Sequence, residues 1–105
     1  MRVTVAHGKS KQEARDAVER SLDHVFTGFN LGALQFIDQR KQWSGDTLKF
    51  SLVAKLGFLQ TPIQGSAMLT DRDVTLDVDL GLLGKLIPEQ AARTKIEARA
   101  KKLLT

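Results

Sequence analysis

Apolar and polar residues alternate in three consecutive segments between residues 47 and 80. The alternating positions are Leu48, Phe50, Leu52, Ala54 and Leu56, then Ile63, Gly65, Ala67 and Leu69, and finally Val74, Leu76, Val78 and Leu80. This period of two is typical of strands that bury one face and expose the other. We therefore expect an antiparallel sheet with one solvated face and one face covered by other elements.

Turn residues separate these strands. Residues 44–46 (Ser-Gly-Asp) predict a hairpin turn before the first of them, and residues 70–73 (Thr-Asp-Arg-Asp) predict a turn before the last. The stretch 57–62 begins with glycine and ends with proline, so we expect it to break the sheet. Residues 2–6 also alternate and predict a short first strand.

A fifth strand is predicted over residues 34–43, but its pattern is irregular. Leu34 and Phe36 mark one face, whereas Ile37 and Trp43 mark the other. A β-bulge or a change of register would reconcile the two sets.

Two helices are expected, one near each end of the chain. Ser10 and Glu13 form a capping box that begins the first helix. That helix should end near Thr27, with Gly28 in the left-handed cap. The last helix should run from about residue 88 to 104. Its apolar stripe comprises Ala92, Ile96, Ala100, Leu103 and Leu104.

The resulting order, β-α-β-β-β-β-α, predicts an α+β fold. It consists of an antiparallel sheet of about five strands with two helices on one face. The arrangement is similar to a small helix-grip fold, in which a curved sheet wraps a C-terminal helix. A length of 105 residues fits a single domain covering residues 1–105.

Few residues point to catalysis or to metal binding. The chain has no cysteine, and its two histidines, His7 and His24, have no partners at catalytic or zinc-binding spacing. Residues 8–10 (Gly-Lys-Ser) lack the upstream glycine of a phosphate-binding loop and are interpreted as a turn and a cap. Asp77 and Asp79 share a strand face, which we interpret as a solvated edge. The sequence thus predicts no catalytic residue, cofactor or metal, and a protein that is not an enzyme.

The net charge of +4 resides entirely in residues 85–105. Lys95, Arg99 and Lys102 fall on one stripe of the last helix, which suggests an anionic partner. Alternatively, these residues simply solvate an exposed helix face. No aromatic residue is interleaved for base stacking, so nucleic acid is not expected as a partner. No apolar run is long enough to span a membrane, and we expect a cytoplasmic protein.

Several stretches of the chain resemble one protein family in their order and spacing. They are residues 5–10 (VAHGKS) with 13–15, 43–51 (WSGDTLKFS), 57–58, 63–65, 73–80 (DVTLDVDL) and 95–97. The family is that of the putative polyhydroxyalkanoic acid system proteins, and the resemblance covers nearly the whole chain. One departure is Gly81, which stands where the resemblance implies a proline.

The resemblance implies a bacterial protein associated with polyhydroxyalkanoate storage granules, without an assigned activity. Our leading hypothesis is a non-enzymatic accessory protein that contacts the granule surface or a granule protein. The contact would use Lys95, Arg99 and Lys102 with the nearby apolar residues Phe58 and Leu59. The alternative is a helix-grip-like module that binds an acyl-type ligand, with the small residues at positions 65 and 67 making room for it. The sequence leaves the oligomeric state open.

Overall fold

Five strands and three helices make up the described part of the chain. The computed structural model describes residues 1–25 and 35–104, without the side chains of residues 22–25, 83 and 86. The strands are β1 (Arg2–Ala6), β2 (Gln35–Ser44), β3 (Thr47–Leu56), β4 (Leu59–Leu69) and β5 (Asp73–Asp79). The helices are α1 (Lys11–Val25), α2 (Leu83–Leu86) and α3 (Glu89–Leu104). The predicted α+β order is confirmed, and the short α2 is an addition to it.

The strands form one antiparallel sheet in the order β1-β5-β4-β3-β2. The first and last strands of the chain are therefore neighbours, with Val3 opposite Leu76 and Val5 opposite Val74. This arrangement leaves β1 and β2 at the edges. The interpretation that Asp77 and Asp79 lie on a solvated edge strand is wrong, because β5 pairs with a strand on each side.

The predicted break at residues 57–62 is also wrong. Leu56 pairs with Leu59 across a two-residue turn, and Gly57 takes the positive φ of 60° that this turn requires. β4 then runs straight through Pro62. The proline is tolerated because β4 continues past the end of β5, whose last pair joins Asp79 to Gln64. Pro62 therefore needs a ladder partner on one side only.

The irregular pattern of β2 arises from a β-bulge, as expected. Ile37 pairs with Val53 and Arg40 pairs with Ser51, so two residues of β2 oppose one residue of β3. Asp38 lies within the bulge at a φ of 54°. The extra residue lets Phe36 pack against the core on one side of the bulge while Trp43 does so on the other. Residue 34, the first of the predicted strand, lies outside the described residues.

The core lies between one face of the sheet and helices α1 and α3. Alternate residues of β1, β3, β4 and β5 contribute to it, together with Ala14, Ala17 and Val18 of α1 and four residues of α3, and Phe36 and Trp43 of β2 pack against its edge. The buried residues of α3 are Ala92, Ile96, Ala100 and Leu104. α3 packs mainly against α1 and β1. The predicted end of the first helix, with its cap at Gly28, and the connector 29–33 fall outside the described residues.

The capping box at the start of α1 is confirmed. The Glu13 amide donates to the Ser10 hydroxyl at 3.2 Å. Hydrogen bonds from the Ser10 side chain and main chain lower the pKa of the Glu13 carboxyl. Both ends of the box are thus satisfied, which stabilises the first turn of the helix.

The turn between β2 and β3 docks on α1 through a polar cluster. Lys11 pairs with Asp46 at 2.6 Å, and the hydrogen bond and charge of Asp46 raise the pKa of Lys11. The Arg15 guanidinium lies 4.0 Å above the Trp43 ring, whose indole nitrogen donates to Glu19 at 2.8 Å. These contacts attach the helix to the edge of the sheet near β2.

Candidate functional site

The turn between β3 and β4 carries the most exposed aromatic side chain in the described part of the molecule. Phe58 is the second residue of this two-residue turn and is 108% exposed relative to a reference residue. Leu59 begins β4 and is half-buried. The turn fixes the main chain on both sides of Phe58, so the ring projects from a rigid hairpin rather than from a long loop.

The hairpin of β3 and β4 extends well beyond β5. The last pair between β4 and β5 joins Gln64 to Asp79. Residues 59–63 therefore continue for about 17 Å, at the usual rise of about 3.3 Å per residue. Phe58 lies at the far end of this extension.

Leu82, in the segment after β5, supplies a second exposed apolar side chain beside this extension. It is 43% exposed, and its amide donates to the hydroxyl of the buried Thr61 at 2.9 Å. The bond fixes the segment after β5 against the start of β4. Sequence patterns do not single out Leu82, because it follows Gly81 in a segment without clear periodicity. Its position directly after a glycine that follows the last alternating segment is the available signal.

Lys95 and Lys102 are exposed on α3, whereas Arg99 is half-buried. The face with Ala92 and Ile96 is buried, which confirms the apolar stripe, whereas only Lys95 and Lys102 of the basic stripe are fully exposed. α3 packs against β1 and α1, however, and Phe58 projects from the β3–β4 extension. The single surface predicted from Lys95, Arg99, Lys102, Phe58 and Leu59 therefore draws on two different elements, α3 and the β3–β4 hairpin, and stays a prediction.

His7 is buried, and both nitrogens of its ring form hydrogen bonds with main-chain groups. It is 2% exposed. The amide of Lys9 donates to Nδ1 at 3.0 Å, which places the ring proton on Nε2. Nε2 then donates to the carbonyl of Thr70, also at 3.0 Å. These bonds tie the end of β1 to the turn before β5. The side chain of His24, the other histidine, is outside the described part of the structure.

The paired carboxylates of β5 are engaged by neighbouring residues. Asp77 forms an ion pair with Arg2 of β1 at 3.1 Å, and Asp79 accepts a hydrogen bond from the Gly81 amide at 2.9 Å. Within the described residues, no group of three or more His, Cys, Asp or Glu side chains could hold a metal ion. These two aspartates therefore serve a cross-strand contact and a turn.

The space expected beside Gly65 is filled from within the protein. A Cβ at Gly65 would lie 2.6 Å from the tip of the Phe50 ring and 2.6 Å from the carbonyl oxygen of Asp77. Phe50 and Gly65 are directly opposite each other on β3 and β4. The small residue thus accommodates an aromatic ring of the core. Room for an acyl chain at this position is not present.

The fold and its exposed features define a small α+β protein, with a five-stranded antiparallel sheet that carries two long helices on one face. No helix among the described residues is long and apolar enough to cross a membrane. The family model of the putative polyhydroxyalkanoic acid system proteins matches residues 1–105, and the chain belongs to this family. The family description links the protein to polyhydroxyalkanoate systems. No curated protein and no solved structure matches the chain.

Proposed function

We propose that this protein is a non-enzymatic accessory protein of polyhydroxyalkanoate storage that attaches to the granule surface. Phe58, with the adjacent Leu59, forms the apolar attachment point, and the basic residues of α3 add an electrostatic contribution. The family description supplies the link to polyhydroxyalkanoates. The complete exposure of Phe58 at the tip of an extended hairpin is the observation that carries the proposal.

An exposed phenylalanine at a rigid tip is suited to an apolar surface. Transfer of a Phe side chain from water into an apolar environment contributes about 1.5–3 kcal/mol, or roughly 10- to 100-fold in partitioning. The paired strands on either side of Phe58 already fix its main chain, so little conformational entropy is lost on attachment.

The basic residues of α3 would act separately. Lys95 and Lys102 are exposed on α3, whereas Phe58 lies in the turn between β3 and β4. Their attraction to an anionic granule coat would weaken as salt is added, because exposed charges are screened beyond a distance of about 8 Å at physiological ionic strength. Attachment through Phe58 would persist in salt, which makes the two contributions separable.

The proposed absence of enzymatic activity is supported by the state of His7. Both of its ring nitrogens bond to the main chain, and the residue is buried. It is therefore not positioned as a general base, which needs a ring nitrogen within reach of a substrate proton.

Co-sedimentation with isolated granules tests the apolar attachment. Wild-type protein should bind granules stripped of their protein coat, and Phe58→Ser should bind about tenfold more weakly. Met68→Ser is the matched control, because Met68 is also an exposed apolar residue but lies on the sheet face, where it is 52% exposed. Equal losses from both variants would contradict a role for the hairpin tip. Binding to native granules alone would indicate a protein partner instead. Absence of binding to either preparation would contradict the proposal and favour a soluble acyl ligand.

The electrostatic contribution is tested with Lys95→Ala/Lys102→Ala, which spares the half-buried Arg99. Lys55→Ala/Lys85→Ala removes the same charge from other exposed positions. We expect the α3 double variant to bind more weakly at low salt and equally well at high salt. Equal effects from the two double variants would show that only net charge matters. A thermal melt of each variant confirms that the fold is retained.

A further inference from the structure

The sheet face opposite the helices carries an open groove of about 590 Å³. Two rows of side chains, each crossing four strands, line it. One row is Arg40, Ser51, Gln64 and Asp79, and the other is Gln42, Lys49, Ser66 and Asp77. Each of these eight side chains carries a polar group, and Lys41, Phe50 and Gly65 complete the lining.

The charges along the groove are arranged by strand. The cations Arg40 and Lys49 lie on β2 and β3, and the carboxylates Asp77 and Asp79 lie on β5. Between them, β4 presents only neutral hydrogen-bonding groups to the groove. Arg40 and Lys49 are diagonal neighbours on adjacent strands, about 7–8 Å apart, a distance that long side chains can bridge. Their two head groups can therefore reach one anion.

The two ends of the groove differ in how far their charges are compensated. Asp77 is paired with Arg2, and Asp79 accepts the Gly81 amide, but each carboxylate keeps a second oxygen outside these contacts. Among the residues that the structure describes, none forms a hydrogen bond or an ion pair with the head groups of Arg40 and Lys49. The basic end thus offers uncompensated donors, and the acidic end offers spare acceptors.

We propose that this groove binds a short linear oligomer of a hydroxy acid. The terminal carboxylate would lie between Arg40 and Lys49, and the ester carbonyls would accept hydrogen bonds from groups such as the Gln64 amide. The terminal hydroxyl would donate to the free oxygen of Asp77 or Asp79. This proposal deepens the proposed function by naming a ligand, and it rests on the same family link to polyhydroxyalkanoic acids.

The dimensions of the groove fit two to three hydroxyacyl units. Neighbouring strands are about 4.8 Å apart, so β5 lies roughly 10 Å from β3 and 14 Å from β2. A 3-hydroxyacyl unit has four backbone bonds against three in an amino-acid residue, which gives it an extended length of about 4.5–5 Å. A dimer or trimer therefore reaches from the cations to the carboxylates. A single unit does not.

Binding is tested by titrating the ¹⁵N-labelled full-length protein with the linear trimer of 3-hydroxybutyrate. We expect amide shifts in β2, β3, β4 and β5 around the groove. Lys49→Gln and Arg40→Gln should each raise the Kd about tenfold, the usual effect of losing one charge-assisted hydrogen bond. Lys55→Gln is the matched control, since Lys55 lies on the same face of β3 but outside the groove. It should change the Kd less than twofold.

Three further ligands test the chemical class. The methyl ester of the trimer lacks the carboxylate, hexanoate lacks the ester and hydroxyl groups, and inorganic phosphate offers only an anion. Each should bind at least several-fold more weakly than the trimer acid. Equal binding of any of them would overturn the assignment, as would the absence of groove shifts at millimolar trimer or an equal loss in Lys55→Gln.

The granule assay keeps this proposal distinct from the proposed function. Arg40 and Lys49 lie on the sheet face away from the helices, whereas Phe58 lies at the hairpin tip. Lys49→Gln should weaken trimer binding about tenfold and leave granule co-sedimentation unchanged, whereas Phe58→Ser should weaken co-sedimentation about tenfold and leave trimer binding unchanged. Failure of trimer binding with intact co-sedimentation would overturn the groove proposal alone.

Discussion

Gly81 is the position at which one added methyl group should destabilise the protein most clearly. Its φ of +57° is in the left-handed region, and a Cβ there would lie 2.6 Å from the carbonyl oxygen of Pro62 and would also overlap the Thr61 hydroxyl. Gly8 provides a matched comparison. It has nearly the same φ, +62°, but a Cβ there would meet nothing within 4 Å.

The expected magnitudes follow from these two environments. A non-glycine residue in the left-handed region costs roughly 1–2 kcal/mol, which applies to both Gly8→Ala and Gly81→Ala. At Gly81 the new methyl group also collides with the main-chain carbonyl of Pro62 in β4. This part of β4 is paired with β3 in the sheet. Such overpacking adds about 1–3 kcal/mol. We therefore expect Gly81→Ala to lower the free energy of unfolding by about 2–5 kcal/mol, and Gly8→Ala by about 1–2 kcal/mol.

Urea unfolding followed by far-UV circular dichroism measures both changes. For a chain of this size each kcal/mol corresponds to a Tm change of about 4–8 °C, so thermal melts give an independent check. If Gly81→Ala and Gly8→Ala agree within about 0.5 kcal/mol, the ordinary scatter between independent sites, the close approach of Gly81 to β4 has no energetic consequence and the reasoning is refuted.

Three further substitutions test the contacts around α1 and β1. Hydrogen bonds with Ser10 stabilise the charged form of Glu13. Their contribution to the free energy of unfolding is present at neutral pH and is lost as the pH falls through the lowered pKa of Glu13. Glu13→Gln should therefore lower the Tm at pH 7 but not in acid. His7→Ala removes two hydrogen bonds from a buried site and should cost about 2–4 kcal/mol in urea unfolding, where a loss under 1 kcal/mol would contradict the structure. Arg15→Ala should cost about 0.5–1 kcal/mol and change the emission of Trp43, the only tryptophan; an unchanged spectrum would argue against their stacking.

Most of the strands could be predicted because alternation is a local property of the sequence. The neighbours of each strand could not, because pairing depends on residues far apart in the chain. Asp77 illustrates this limit, since its place inside the sheet is set by β1, which precedes it by some seventy residues. Pro62 illustrates another. Whether a proline breaks a strand depends on how far the neighbouring strand extends, and β5 ends before it reaches Pro62.

The same distinction between local patterns and contacts of distant residues applies to the candidate sites. The basic stripe of α3 follows from helical spacing alone, so Lys95 and Lys102 are correctly predicted on an exposed face. The elements against which α3 packs do not follow, because its contacts with α1 and β1 join residues far apart in the chain. The groove is likewise absent from any local pattern. Arg40 and Asp79 share a row only because three strand registers and one bulge align them.

The bulge in β2 also determines how this edge of the sheet can tolerate changes in chain length. Two residues, Asp38 and Gln39, stand opposite the single Leu52. Deletion of one of the two would leave a regular ladder, with Phe36 still on the core side and Arg40 still on the groove side. A deletion between Arg40 and the turn would instead place the following side chains on the wrong face. The bulge is thus the position in β2 at which the number of residues can change while each side chain beyond it stays on the same face of the sheet.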